Sequence, residues 1–187
     1  MRIYVVILFI CIGICFYAIS IGNVYAVSTA PIKDVQYDLP YPGILPDNPL
    51  YVLKVIRDKF IIFLISDPIK KSQLELLQAD KRLNAAVLLH NEHKQNDILV
   101  ISTASKAENY FNEAIDTASL AKSEGLNIDT LQSRLTLASQ KHYEVLRQIE
   151  NGSSPLLKRS FVSIENRVLI LQKMVDALSS NKVHKNN

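Results

Sequence analysis

The chain contains no tryptophan and only 5 glycines among its 187 residues. Sandwiches and barrels need many tight turns, so this scarcity of glycine argues against an all-β fold. The two cysteines, Cys11 and Cys15, both lie in an N-terminal apolar run. The chain beyond that run therefore has no thiol, which excludes a disulfide or a cysteine-based metal site there.

Neither sign of charge dominates the sequence. Lysine and arginine number 21 against 18 acidic residues, and the formal net charge is +3. This balance, without a basic stripe interleaved with aromatic residues, argues against a nucleic-acid-binding protein. The sequence also lacks a glycine-rich phosphate loop and a Gly-x-Ser-x-Gly nucleophile motif. We therefore predict no catalytic residues, no cofactor, no bound metal and no nucleic-acid partner.

The N-terminus has the features of a secretion signal. A short positive region precedes residues 3–21, which are almost wholly apolar. Small residues at Val24 and Ala26 predict cleavage after Ala26. An apolar run of about 20 residues can also span a bilayer, so residues 1–26 are interpreted as a signal peptide or an N-terminal membrane anchor. Either interpretation places the rest of the chain outside the cytoplasm, secreted or in the cell envelope, with membrane contact only through residues 3–21 if they are retained.

Prolines punctuate the segment that follows the signal. Four of the 7 prolines fall between residues 40 and 49, so residues 27–45 are predicted to form an extended polar tether. Asp47 or Asn48 can cap a helix in which Pro49 takes the first position. The first predicted helix covers Pro49–Ile65.

Four longer helices are predicted after the first one. Apolar residues recur at intervals of three and four. The segments are separated by cap-then-proline signals at Asp67-Pro68 and Ser154-Pro155 and by a stop at Gly125. The predicted helices cover Pro68–Asn91, Asp97–Ser123, Ile128–Glu150 and Pro155–Leu178. We therefore predict an all-α fold, an up-down bundle of four long antiparallel helices plus the shorter N-terminal helix. The bundle domain covers residues 46–180, and residues 181–187 form a disordered tail.

Three segments of the sequence carry a family resemblance. LPDNPLYVLKVIRDK, ISDPIKKSQLELLQADKRLNAA and ISTASKAENY together resemble an uncharacterised bacterial domain family, a domain of unknown function. The matching positions are Leu45, Pro46, Asp47, Pro49, Tyr51, Lys54, Asp67, Pro68, Lys70, Lys71, Ala79, Arg82 and Leu83. The resemblance implies an extracytoplasmic helical domain behind a signal or membrane segment. It implies no chemistry, and no catalytic residue is transferred.

The end of the first predicted helix is apolar on all sides. This end is the candidate partner surface, and its residues are Phe60, Ile61, Ile62, Phe63 and Ile65. Burial is the favoured interpretation, because large exposed apolar patches are uncommon on soluble monomers. The alternative is an exposed surface for a partner or a membrane. The alanine-rich seam of the third predicted helix is a second candidate surface.

Two histidines are candidate ligand contacts. His90 lies at the end of the second predicted helix, close to His93, and His142 occupies a seam position of the fourth. We expect His142 to be partly buried with one hydrogen-bond partner, although a pH-sensitive or ligand contact is an alternative. Asp80 and Arg82 are expected to form a solvated or half-buried ion pair of little energetic value.

These features favour a non-enzymatic, secreted or membrane-tethered interaction protein. Its partner would be another envelope protein or a second copy of the chain. The alternative is a bundle of the cell envelope that binds a small ligand or metal through His142 and His90. An enzyme would need converging carboxylates or a histidine in a cleft. The acidic residues of the third and fourth helices are expected near helix surfaces, without such pairing: Glu108, Glu113, Asp116 and Glu144.

Overall fold

A computed structural model describes residues 35–92 and 97–180 of the chain. Within these residues the fold is all-helical, with five helices and no strand. The helices are α1 (Tyr51–Leu64), α2 (Pro68–Asn91), α3 (Asp97–Ser123), α4 (Asp129–Asn151) and α5 (Pro155–Ser180). The predicted helices are confirmed to within two residues at each end. The predicted signal, its cleavage after Ala26 and the tail at 181–187 lie outside the described residues.

The start of α1 differs from the prediction. The helix begins at Tyr51 rather than Pro49, and its N-cap residue Leu50 has no side-chain cap. The Asn48 side chain instead accepts a hydrogen bond from the Leu50 backbone N–H at 2.9 Å. Asparagine side chains that bond the backbone two residues ahead stabilise turns. Pro49 therefore belongs to a turn before α1 and not to its first helical position.

The start of α2 follows the predicted cap. The Asp67 side chain accepts hydrogen bonds from the backbone N–H groups of Ile69 at 2.9 Å and Lys70 at 3.2 Å. Pro68 occupies the first helical position, where its missing N–H leaves no donor unpaired. The cap fixes the point at which the chain turns from α1 into the bundle.

Replacing Asp67 with alanine is expected to lower the free energy of unfolding by about 1 kcal/mol, since the first turn of α2 would lose its acceptor. Urea denaturation followed by circular dichroism measures the change. Ser66→Ala is the matched control, because Ser66 is exposed and precedes the cap. Equal stability of Asp67→Ala and Ser66→Ala would show that the cap contributes nothing.

The end of α3 depends on a glycine. Gly125 has a φ of +82°, which residues other than glycine rarely adopt. The Leu126 N–H bonds the Ala121 carbonyl and the Gly125 N–H bonds the Lys122 carbonyl, both at 3.0 Å. This pair of bonds is a Schellman motif, which satisfies the last carbonyls of the helix. The predicted stop at Gly125 is confirmed.

The four long helices form a helical bundle. Each contacts two neighbours most closely, in the order α2, α3, α5, α4 and back to α2, while α1 packs on α2. The predicted seams of α3, α4 and α5 are buried throughout. Their residues are Val100, Ala104, Ala107, Phe111, Ala114, Ala118 and Ala121, then Ile128, Leu131, Leu135, Ala138, His142, Val145 and Ile149, then Leu157, Phe161, Ile164, Val168, Leu171, Val175 and Leu178. Because the α3 alanines are internal, the prediction that they form a partner surface is wrong.

The core consists of two hydrophobic clusters. The first includes Leu76, Phe111 and Leu135, and the second includes Leu83, Phe161 and Leu146. On α2, α3 and α4 the chain passes from one cluster to the other at a buried polar residue. These residues are Asp80, Glu108 and His142. A polar layer therefore crosses the bundle between its two apolar halves.

Residues 35–42 lie along the bundle without regular secondary structure. The side chain of Tyr37 packs on the first core cluster and that of Leu39 on the second. The Asn84 side chain of α2 donates to the Pro40 carbonyl at 3.0 Å. This part of the predicted tether is thus attached to the bundle surface.

None of the described helices is both long enough and apolar enough to cross a membrane.

Candidate functional site

The polar layer is centred on His142. Its Nδ1 lies 2.8 Å from Glu108 Oε1, and its Nε2 lies 3.1 Å from Asp80 Oδ1. The His142 ring also packs against Phe111, with ring centroids 5.0 Å apart. The three polar side chains come from three different helices, so the layer joins α2, α3 and α4.

The two carboxylates determine the charge of His142. Burial alone lowers the pKa of its imidazole, but the Glu108 and Asp80 carboxylates and their hydrogen bonds raise that pKa to about 10. At neutral pH the ring is therefore an imidazolium that donates from both nitrogens. The second carboxylate oxygen of Glu108 has no hydrogen-bond partner among the described residues. The Glu108 carboxylate consequently depends on its contact with His142.

These contacts correct two predictions. His142 has two hydrogen-bond partners instead of one, and its side chain has no exposed surface. Within the described structure a small ligand has no access to the ring. The predicted Asp80–Arg82 ion pair is also wrong, because residues two apart on a helix point to nearly opposite sides. Asp80 bonds His142, and Arg82 bonds two tyrosines.

Residues 35–42, which precede α1, also contact the polar layer. The Tyr37 hydroxyl donates to Asp80 Oδ2 at 2.6 Å, and the Val35 N–H donates to Glu144 Oε2 at 3.0 Å. Burial and the Asp80 carboxylate raise the pKa of Tyr37 above its ordinary range. For Glu144, burial raises the pKa, but the Val35 N–H and Lys141 outweigh it and lower the pKa overall. The Tyr37 bond therefore attaches the segment to the polar layer, and the Val35 bond attaches it to α4 nearby.

The prediction that four acidic residues of α3 and α4 lie near helix surfaces is wrong for two of them. Glu113 and Asp116 are exposed as expected, whereas Glu108 and Glu144 are buried. Each buried carboxylate has a partner from another part of the chain, His142 for Glu108 and Val35 for Glu144. Such distant partners offset the cost of burying the charge, and residue spacing along the helix does not reveal them.

Arg82 joins α1 to the bundle. Its Nη1 donates to the Tyr51 hydroxyl at 2.7 Å, and its guanidinium lies over the Tyr110 ring, 4.6 Å from the centroid. The Nζ of Lys54 lies 5.2 Å from the Tyr51 ring centroid. Tyr51, from the matched segment LPDNPLYVLKVIRDK, and Arg82, from the matched segment ISDPIKKSQLELLQADKRLNAA, are thus in direct contact. These two segments are docking motifs, because their contact docks α1 on the bundle.

The structure does not bring the two candidate histidines together. His90 is half-buried beside the turn between α4 and α5, where its Nε2 lies close to Gly152. It lies ten residues beyond Asp80, about 15 Å along α2 from the level of His142. His93 lies outside the described residues. Among the residues the structure describes, no group of three potential ligands is arranged to hold a metal ion.

The outer face of α1 is the second candidate site. Phe60 is 60% exposed and Phe63 is 80% exposed, and Ile61 and Leu64 are also exposed. Ile62 and Ile65 are half-buried, and Ile62 packs against the first core cluster. The favoured interpretation that this apolar end is buried is therefore wrong.

The inward side of α1 explains this exposure. It carries the polar Tyr51, which bonds Arg82, and Asp58, the one buried residue of the helix. Asp58 forms an ion pair with Arg57 at 2.7 Å. Because the Tyr51–Arg82 hydrogen bond holds this side against the bundle, the apolar side faces outward. The candidate residues Phe60 and Phe63 are on that outward side, and Ile61 is exposed beside it.

A groove of about 470 Å³ lies beside the first turns of α1. Lys54, Arg57 and Lys81 supply cationic groups to its wall. The apolar part of the wall includes Leu50 and Leu53, which also belong to the outward side of α1. The groove and the apolar face therefore form one continuous surface.

Comparison with known proteins identifies a family and no individual relative. No curated protein and no solved structure matches the chain. Residues 43–155 match the family described as Domain of unknown function (DUF5667). The match begins in the turn before α1 and ends at the start of α5, so it includes both docking motifs. The chain belongs to this family of domains of unknown function.

Proposed function

We propose that this chain is a non-enzymatic interaction protein of the cell envelope, secreted or held by residues 3–21, that binds its partner through the outward face of α1. The exposure of Phe60 and Phe63 carries the proposal. A contiguous apolar surface of this kind is costly in water and marks an interaction site. Polar contacts hold it outward, so burying it against the bundle would break the Tyr51–Arg82 contact.

The bundle is the scaffold that presents this face. In our proposal its four long helices run up and down as antiparallel neighbours. The Ser72 hydroxyl near the start of α2 donates to the Ala114 carbonyl late in α3, which supports that direction. Gln172 of α5 donates to the Ser139 carbonyl of α4, and Glu165 of α5 lies 3.6 Å from Arg147 of α4. In both helix pairs the residue numbers run in opposite directions.

The polar layer has a structural role in this proposal. Its histidine lacks exposed surface, and its carboxylates contact opposite ring nitrogens. A catalytic base must reach its substrate within hydrogen-bond distance. In our proposal the layer joins helices and acts on no substrate. Charged side chains that bond across three helices favour one register of the bundle.

Site-specific photo-crosslinking in the native host tests the proposal. A photoreactive amino acid replaces Phe63 in one strain and Ile170 in the other. Ile170 is the matched control, because it is 59% exposed and lies on α5 rather than α1. We expect at least fivefold more adduct from position 63, with protein, lipid or a second copy of the chain. Equal or absent adducts from the two positions would overturn the proposal.

A further inference from the structure

Six of the exposed apolar residues of α1 occupy one arc of the helix, and Ile61 lies outside it. At about 100° per residue, the arc covers roughly 120°. Its members are Val52, Leu53, Ile56, Phe60, Phe63 and Leu64, all of which are exposed. An apolar stripe of this width ordinarily faces a protein core. Here the stripe faces away from the core, whereas the apolar faces of α2–α5 point toward it.

Basic side chains border this arc on both sides. Arg57 lies next to one edge and Lys59 next to the other, and both are exposed. The only acidic residue of α1, Asp58, is on the opposite side and buried. Lys81 of α2 adds a cation to the groove beside the arc. Because Arg57 is paired with Asp58, Lys59 and Lys81 supply the net positive charge around the apolar face.

A helix with an apolar face and basic flanks suits the surface of an anionic bilayer. Its apolar side chains enter the boundary between headgroups and acyl chains, and its lysine and arginine side chains meet the phosphates. A protein partner would need its own apolar groove with acidic edges. An anionic bilayer supplies an apolar interior and negatively charged headgroups, and it needs no specific shape to do so.

A membrane-compatible segment precedes the helical domain by a short stretch of chain. Residues 3–21 are apolar, and 13 residues lie between Ile21 and Val35, the first described residue. These residues can extend to at most about 50 Å. In a chain that retains the apolar segment in the membrane, the start of the bundle therefore remains close to the bilayer surface.

We infer that the outward face of α1, with Arg57, Lys59 and the cationic groove at its borders, binds the surface of an anionic phospholipid bilayer. This inference rests on the proposed function, because it names the partner of the same face. It extends the membrane contact of the chain beyond residues 3–21. The domain would then contact the membrane through α1, and α2–α5 would be directed away from the membrane.

Fluorescence quenching in proteoliposomes tests the inference with the full-length chain. Cys11→Ser and Cys15→Ser remove the natural thiols, and a bimane label is attached at Phe63→Cys or, as the matched control, at Ile170→Cys. The bilayer contains brominated phosphatidylglycerol and phosphatidylcholine. We expect quenching at position 63 to exceed that at position 170 by at least fivefold. Equal quenching at the two positions, or none, would overturn the inference.

The basic residues provide the second arm of the test. Lys59→Gln together with Lys81→Gln is expected to reduce quenching at position 63 at least fivefold, since each cation near an anionic surface strengthens binding about fivefold. Bilayers of phosphatidylcholine alone should give a similar reduction. Unchanged quenching in both cases would refute a requirement for anionic lipid. Photo-crosslinks from position 63 to a protein, without quenching, would support the proposed function and overturn the lipid inference.

Discussion

Replacing His142 with alanine is expected to lower the free energy of unfolding by about 3–5 kcal/mol. The substitution leaves the buried carboxylates of Asp80 and Glu108 without their shared cation. Removing one partner of a buried charged pair is strongly destabilising, because the remaining charge has lost both its partner and its water. Urea denaturation at neutral pH, followed by circular dichroism, measures the loss.

Two variants make this result specific. His90→Ala is the matched control, since His90 is only half-buried and lies near the end of α2, and its cost should stay below about 1 kcal/mol. Adding Glu108→Gln to His142→Ala should recover at least about 1 kcal/mol by removing one unpaired charge. If His142→Ala does not fold, His142→Gln, which retains one amide donor, replaces it. Equal stability of His142→Ala and His90→Ala would contradict the role of the layer.

The same histidine predicts a loss of stability in mild alkali. The pKa of His142 is about 10 in the folded chain, against an ordinary value of 6.5. Its contribution is therefore fully present below about pH 6.5 and is lost as the pH rises toward 10. Between about pH 7.5 and 9 we expect the free energy of unfolding to fall by on the order of 2 kcal/mol. Urea midpoints across that range measure the change.

The control for the pH series is His142→Gln, which has no titrating group at this position. Its free energy of unfolding should change by less than half as much over the same range. Glu165 does not interfere, because burial and the neighbouring Glu150 carboxylate raise its pKa to about 7, so its effect falls mainly at lower pH. Parallel pH profiles for the two proteins would show that His142 is not the responsible group.

Helix positions were predictable because the signals that set them are local. The Asp67-Pro68 cap and the stop at Gly125 involve residues within five positions of each other. The seams of α3, α4 and α5 follow directly from the three-four spacing of their apolar residues. Asn48 shows where prediction from local signals fails, because an asparagine side chain can either cap a helix or stabilise a turn.

The polar layer was not predictable because its partners are distant in sequence. Glu108 lies 34 residues from His142, and Asp80 lies 62 residues from it. Glutamate next to a seam usually reaches solvent, so Glu108 gave no sign of burial. The seam position of His142 was the one available signal. It indicated a buried histidine but not the two carboxylates that hold its proton.

The direction of the α1 face also depends on contacts beyond the helix. The spacing of Leu53, Ile56, Phe60 and Phe63 is the same whether that stripe faces a core or faces outward. The contact between Tyr51 and Arg82, 31 residues away, turns the stripe outward. The periodicity of α1 cannot decide between the two directions. Burial was favoured because large exposed apolar patches are uncommon, and the structure contradicts it.

Thiol accessibility in intact cells tests the central claim most directly. In a chain carrying Cys11→Ser and Cys15→Ser, a membrane-impermeant maleimide labels Phe63→Cys or Ile170→Cys, in cells and after purification in detergent-free buffer. If α1 binds a partner in the envelope, position 63 should react at least tenfold more slowly in cells than when purified, while position 170 reacts equally in both. Equal rates at position 63 in the two settings would contradict the account.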